Sequence, residues 1–274
     1  MAKSISAYKF VTVEDPAALR VDVLRASITR DLKGWVLLSH EGINVFVCGT
    51  GENIDSFVVW LRGLAGLHDL DVKASHSDDV PFALMLVKVK KSIIAFRTCA
   101  AGPNVAVDPI HDPAPKISPR ELKKWLDDGR SVVLLDTRND YEMRMGSFIN
   151  ARHLNIRRFT DFGTAALTLD PALKDQEVVT FCTGGIRCEK AAPYLSSLGF
   201  RNVHQLDGGI LRYFEECGGA HYRGECFVFD KRVGVDAQLR ETATVMCFRC
   251  RMPLSLLDQT SADYVFGTSC PYCV

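Results

Sequence analysis

Val178-Val179-Thr180-Phe181-Cys182-Thr183-Gly184-Gly185-Ile186-Arg187-Cys188-Glu189 is the stretch that decides the fold of the central part of this chain. Its four leading apolar or β-branched residues read as a strand covered on both faces, the mark of a parallel sheet. A glycine-bearing loop and a helix start follow, so Cys182 stands at the carboxyl end of a strand, where open α/β sheets place their ligands. Backbone N–H groups of such a loop converge on its centre, and the next helix adds the positive end of its dipole. Together with the charge of Arg187, they favour a thiolate at Cys182. Gly184 and Gly185 let the backbone curl around the sulfur without Cβ clashes.

Outward from this loop, residues 132–135 and 203–206 are further short apolar strands, and 189–198 and 210–217 are helical. A third helix starts at Pro119, capped by Ser118 with Glu121 at its third position. Short buried strands alternating with helices predict a doubly wound parallel α/β sheet. The first part of the chain reads differently. Strand-like segments at 6–13, 35–38, 43–48, 70–74 and 82–89 interleave with helical ones at 16–31 and 54–64. The order β-α-β-β-α-β predicts a ferredoxin-like (acylphosphatase-like) α+β domain. Five prolines (103, 109, 113, 115 and 119) mark the connection. The expected division is 1–100 for the ferredoxin-like domain, 101–117 for a Pro-rich linker, 118–218 for the parallel sheet and 219–274 for a small tail.

With 274 residues, about two full domains are expected. The longest apolar run, 80–87, is eight residues against the roughly 20 that cross a bilayer, so no membrane helix is expected. The N-terminus has no apolar secretory core, which points to the cytoplasm. There the ten cysteines should be reduced, and serve as metal ligands, reactive thiols or buried apolar residues.

Four of them form two C-x2-C pairs, Cys247/Cys250 and Cys270/Cys273, separated by 19 residues. Each pair makes a tight knuckle, and a hairpin between knuckles brings four thiolates into a tetrahedron, so the spacing predicts zinc. With four protein ligands the metal would be structural, supplying what a tail of some 50 residues cannot obtain by burial. Cys188 has two readings: a resolving thiol that forms a disulfide with Cys182, or a helix residue facing the core. Cys48, Cys99, Cys217 and Cys226 have no partner spacing and default to packing roles.

The central segment resembles the rhodanese family. Cys182-x4-Arg187 is similar to the six-residue active loop of sulfurtransferases, with Thr183, Gly184, Gly185 and Ile186 supplying the backbone; related cell-cycle phosphatases have a loop one residue longer. Asp136-Thr137-Arg138, Glu142, Gly146, Phe148-Ile149 and Asn150-Ala151 resemble the family's upstream motif. Gly199-Phe200 and Leu206-Asp207-Gly208-Gly209 resemble its closing pattern. The resemblance implies a thiolate that accepts sulfur as a persulfide, held by loop amides and Arg187. Asp136, Arg138 and Glu142 are expected to support the loop through ion pairs.

Three pieces in one order carry a second resemblance: Glu41-Gly42-Ile43-Asn44 in the first domain, the Cys182 loop, and the cysteine-paired tail preceded by Gly224-Glu225-Cys226-Phe227-Val228-Phe229-Asp230. That order is similar to the bacterial tRNA uridine hydroxylase family. It implies oxygen-dependent conversion of the wobble uridine of tRNA to 5-hydroxyuridine, with molecular oxygen as co-substrate, the tRNA anticodon region as partner and Cys182 as the essential cysteine. The alternatives are a sulfurtransferase forming a persulfide on Cys182 and a non-catalytic RNA-binding scaffold. The sequence names no electron donor: it has neither a Gly-x-Gly-x-x-Gly fingerprint nor a two-His-one-carboxylate cluster, and His40, His153 and His204 read as isolated residues.

Equal numbers of acidic and basic residues, 33 of each, give no long-range attraction for nucleic acid. Arg138, Arg144, Arg152, Arg157 and Arg158 cluster nonetheless, and Arg223, Lys231, Arg232, Arg240, Arg249 and Arg251 flank the tail. They form either a basic face for an anticodon stem-loop or a set of solvated and internally paired arginines.

Overall fold

The computed structural model describes residues 2–77, 80–99, 102 and 107–274. The expected boundary at Ala100 and the proline at 103 lie outside the described residues. The chain forms two compact units, Met1–Phe96 with Asp108–Pro113, and Arg97–Val107 with Ala114–Val274. The Pro-rich connection is thus shared between them, and residues 219–274 belong to the same unit as the parallel sheet.

In the first unit, β1 (Ala2–Phe10), α1 (Pro16–Ile28), β2 (Lys33–Ser39), β3 (Gly42–Gly49), α2 (Gly51–Arg62) and β4 (Val72–Ser77) follow the predicted β-α-β-β-α-β order. A fifth strand, β5 (Met85–Val89), joins the edge parallel to β2, so the sheet runs β4-β1-β3-β2-β5. Asp15 caps α1 by accepting from Ala17 and Ala18 N–H, each at 2.9 Å, and Thr50 caps α2. Inward residues of the strands, among them Ile5, Val36, Leu38, Val45 and Val47, bury against Val23 of α1 and Ile54, Phe57 and Leu61 of α2. The Glu41–Asn44 motif closes this unit. Glu41 accepts from Ile93 N–H at 2.8 Å and from the Ser92 hydroxyl, and Asn44 Nδ2 donates to the Ile93 carbonyl at 3.2 Å. A Cβ on Gly42 would stand 2.0 Å from the Lys9 carbonyl oxygen, which accounts for the glycine.

The second unit is built on β6 (Lys116–Ile117), α3 (Pro119–Asp127), β7 (Val133–Asp136), α4 (Asp140–Met145), β8 (Gly146–Phe148), β9 (Arg152–His153), α5 (Phe162–Ala165), β10 (Glu177–Phe181), α6 (Cys188–Ser197), β11 (Asn202–Leu206) and α7 (Gly209–Cys217). The sheet runs β6-β11-β10-β7-β9 with every pair parallel, as the continuous apolar strands predicted. All carboxyl ends therefore open on one edge, with β10 central and its Cys182 end flanked by β7 and β11.

Beyond α7, β12 (Tyr222–Gly224) pairs with β8, and β13 (Cys226–Phe227) pairs with β14 (Gly234–Val235). Cys226, Val228 and Val235 bury in the same apolar cluster as Phe181, Ile210 and Tyr213. The first part of the tail thus completes the core under the parallel sheet. The remainder is a hairpin, β15 (Val245–Met246) with β16 (Pro253–Leu254), and the short α8 (Leu256–Gln259), gathered around the four cysteines.

Candidate active site

Cys182 is 2% exposed at the end of β10. Gly185 N–H donates to its Sγ at 3.1 Å. Burial pushes this thiol up, but a hydrogen bond from Cys188, the Arg187 charge and the Arg187 and Gly185 N–H groups outweigh it, and the pKa falls to about 6. Cys188, in the first turn of α6 and fully buried, moves the opposite way. Burial and its contact with Cys182 hold it well above the ordinary thiol range. Its sulfur lies 3.7 Å from the Thr137 hydroxyl, which donates to the Phe181 carbonyl at 3.0 Å. Both readings of Cys188 therefore hold geometrically: it faces the core, and it touches Cys182.

The loop is held from three sides. Ile210 and Leu211 N–H groups at the start of α7 donate to the Cys182 and Thr183 carbonyls at 2.9 and 3.1 Å. A Cβ on Gly209 would lie 2.4 Å from the Cys182 carbonyl oxygen, so the Gly208-Gly209 pair is what admits this approach. The Thr183 hydroxyl donates to the Phe227 carbonyl at 3.3 Å. Arg187 Nη1 donates to Glu142 Oε2 at 2.7 Å, and that oxygen also accepts the Asn139 N–H that opens α4. Of the two loop glycines, Gly185 has φ +99° while a Cβ on Gly184 would meet nothing within 4 Å. Conformational need is thus confined to Gly185, and Gly184 faces open space. Ile186 sits between it and Arg187 at the helix entrance.

Asp136 and Arg138 pair with each other, Nη2 to Oδ2 at 2.6 Å, both side chains fully buried. Arg138 also donates to the Gly146 carbonyl at 2.6 Å, and the Ser147 hydroxyl donates to Asp136 at 2.7 Å. This pair fixes the turn from α4 into β8, while Glu142 alone reaches the loop. The sequence reading did not single out an aromatic wall beside them. Tyr141, Phe227 and Phe229 stand edge to face in series, with centroids 5.2 and 5.0 Å apart, and the Arg187 guanidinium lies over Phe229 at 5.4 Å. The Phe-Val-Phe alternation at 227–229 was the available signal, since it places two rings on one side of a strand. Burial pushes the Cys226 thiol up to about 12, consistent with a packing role.

In the tail, the sulfurs of Cys247, Cys250, Cys270 and Cys273 all lie within 4.8 Å of one another. Separations of 4.0 Å (247 to 273), 3.5 Å (250 to 270) and 3.6 Å (270 to 273) bracket the edge of about 3.8 Å that a tetrahedron of 2.3 Å metal–sulfur bonds requires. The cluster fits a metal ion. Among the described residues it is the one group of His, Cys, Asp and Glu donors gathered this closely, and His40, His153 and His204 stand apart from it.

The basic residues divide. Arg138 is internal, Arg232 pairs with Asp230, and Arg240 pairs with Asp236. Arg144, Arg152, Arg157, Arg158, Arg223, Lys231, Arg249 and Arg251 are in no ion pair among the described residues. No helix of the described residues is long and apolar enough to cross a membrane.

Residues 2–93 match the family model described as UPF0176 acylphosphatase like domain, and residues 118–216 match the rhodanese-like domain. Three curated relatives are each called tRNA uridine(34) hydroxylase. The one from Ralstonia nicotianae is 47% identical, covering 98% of this chain and 95% of the relative. The one from Cupriavidus taiwanensis is 44% identical over 99% and 96% of the two chains. The one from Paraburkholderia xenovorans is 46% identical over 98% and 95%. At that identity along nearly its whole length, with both domain models matched in order and the thiolate loop in place, this chain belongs to the tRNA uridine(34) hydroxylase family.

Proposed function

We propose that this chain converts uridine 34 of tRNA to 5-hydroxyuridine in the cytoplasm, with dioxygen as co-substrate and Cys182 as the reacting thiolate. The observation that carries the reading is the buried thiol at the carboxyl edge of the sheet, ionised near neutrality by loop amides and by an arginine fixed on Glu142. Such a thiolate is both a nucleophile and an electron source. Gly184 leaves the space over the loop open, and Phe229 borders it, so a base swung out of the anticodon loop has an apolar wall and a cation to meet.

Cys188 is assigned here as the resolving thiol. Closing a Cys182–Cys188 disulfide releases two electrons and two protons. That is the number needed to reduce one atom of dioxygen to water while the other enters the uracil ring, and an external dithiol then restores the pair. Asp136 and Arg138 hold the α4–β8 turn, and Glu142 positions Arg187. The four tail cysteines hold a structural zinc, and the working division of the chain is 1–100, 101–117, 118–218 and 219–274.

The test is nucleoside mass spectrometry of tRNA from cells lacking the protein. 5-Hydroxyuridine derivatives should disappear, return with the wild-type chain and stay absent with Cys182→Ala. Unchanged nucleosides would sink the proposal. The six-residue loop also favours a sulfurtransferase reading. Thiosulfate-dependent turnover with cyanide, with a persulfide confined to Cys182 and no tRNA change, would establish that reading instead. Full cellular function in Cys182→Ser would point to a scaffold.

A further inference from the structure

The four-cysteine module carries two large rings that its own packing does not use. Phe248 and Phe266 are 60% and 75% exposed and stand edge to face, with centroids 5.5 Å apart. The residues that close the module are others: Leu254 is fully buried among the cysteines, with Val245 and Tyr264 against it. Two solvated phenyl rings held as a pair contribute little to folding, and an exposed aromatic pair of this kind marks a contact surface.

What covers them is indicated by charge. Arg249 follows Phe248, and Arg251 lies one residue past Cys250; both are exposed and in no ion pair among the described residues. Asp258, an acid of the same segment, is already engaged by Ser255 and Tyr272. Ring faces beside uncompensated guanidiniums suit a nucleobase and its phosphate, because every base has a π face and every nucleotide a negative charge.

The module is also tied to the loop that holds Cys182. The Arg144 guanidinium lies over Tyr272 at 4.6 Å and its Nη2 is 3.5 Å from the Met252 sulfur. Arg144 belongs to α4, the same short helix whose Glu142 holds Arg187. One rigid element therefore links the aromatic pair to the reacting thiol. We propose that Phe248 and Phe266 form a stacking platform for an unpaired base of the tRNA anticodon loop, with Arg249 and Arg251 on the adjoining phosphates. The platform rests on the reading of this chain as acting on tRNA.

The experiment uses the full-length, metal-loaded protein and a synthetic anticodon stem-loop with a wobble uridine. Binding is read by fluorescence anisotropy and hydroxylation by steady-state kinetics. Combined Phe248→Ala and Phe266→Ala should weaken binding about ten-fold or more and raise KM with kcat held. Tyrosine at both positions should restore binding, because the ring face returns. Arg249→Gln with Arg251→Gln should lower the slope of log affinity against log salt by roughly 1.4, about 0.7 for each phosphate released; this arm is independent of the ring substitutions. An unchanged salt slope, unchanged affinity and KM in the alanine variant, or equal weakening in the alanine and tyrosine variants would overturn the platform. So would a dimer in sedimentation that the alanine variant dissolves, since the rings would then cover a second copy of the chain. Hydroxylation by the wild type with KM indifferent to the rings overturns the platform alone. Ring-dependent RNA binding without hydroxylation overturns the activity and leaves the platform standing.

Discussion

The Cys182 loop and the tail cluster each gather cysteines, and they do opposite things with them. At the loop, one sulfur is surrounded by donors: Gly185 N–H at 3.1 Å, a neighbouring thiol and a buried guanidinium. At the cluster, four sulfurs surround a point at separations of 3.5 to 4.0 Å, with the geometry of a metal shell. The same side chain becomes reactive where the backbone converges on it, and structural where its own kind does.

The largest expected effect sharpens that contrast. Cys182→Ser should lower hydroxylation by about three orders of magnitude or more while leaving the metal content and the thermal midpoint unchanged. Cys250→Ser should do the reverse in kind, releasing the metal and exposing the tail to protease, which metal analysis and limited proteolysis report. Equal effects of the two substitutions on metal content would break the distinction.

Next is Glu142→Gln. Arg187 is 7% exposed at its side chain and Glu142 not at all, so removing the carboxylate leaves a buried charge unpaired. A stability loss of about 3 kcal/mol is expected in urea denaturation, far more than for Asp175→Asn, whose partner Arg201 is solvated.

The pH dependence of Cys182 comes third. Its pKa of about 6 lies below the ordinary thiol value of 9.0. The thiolate therefore persists through neutrality and is lost as pH falls through about 6. Alkylation by iodoacetamide should drop about ten-fold between pH 7 and pH 5. The matching stability contribution is complete above the ordinary thiol pKa and gone below the folded one. A titration near 9 would place Cys182 with the unactivated thiols.

The smallest effect separates the two loop glycines. Gly185→Ala forces φ +99° on a residue with a Cβ and should cost about 1–2 kcal/mol, whereas Gly184→Ala, facing open space, should fold normally. Any activity lost in Gly184→Ala then reports crowding of the substrate.

Much of this was legible beforehand, because the chemistry is written in short range. A strand, a glycine loop and a helix start follow one another within Val178–Glu189, and the backbone geometry of such a unit is set by neighbours in sequence. The C-x2-C knuckles are equally local. The βαββαβ order was legible from periodicity, but β5 was not placeable, since its parallel pairing with β2 depends on a long connection that returns to the sheet edge.

Tertiary structure decided the remainder. Arg138 and Arg144 stand six residues apart with like charges, yet one is sealed against Asp136 and the other lies over Tyr272 with no ion pair among the described residues. Cys226, whose spacing assigned it nothing, packs under the parallel sheet, and Phe229 comes to border Arg187 from 42 residues away. Sequence by itself determined which groups carry chemistry, because a thiolate loop and a metal knuckle are built from adjacent residues. Which charges are neutralised, and which rings line the site, was left to the packing of distant segments, because burial and partner choice depend on what the rest of the chain brings alongside.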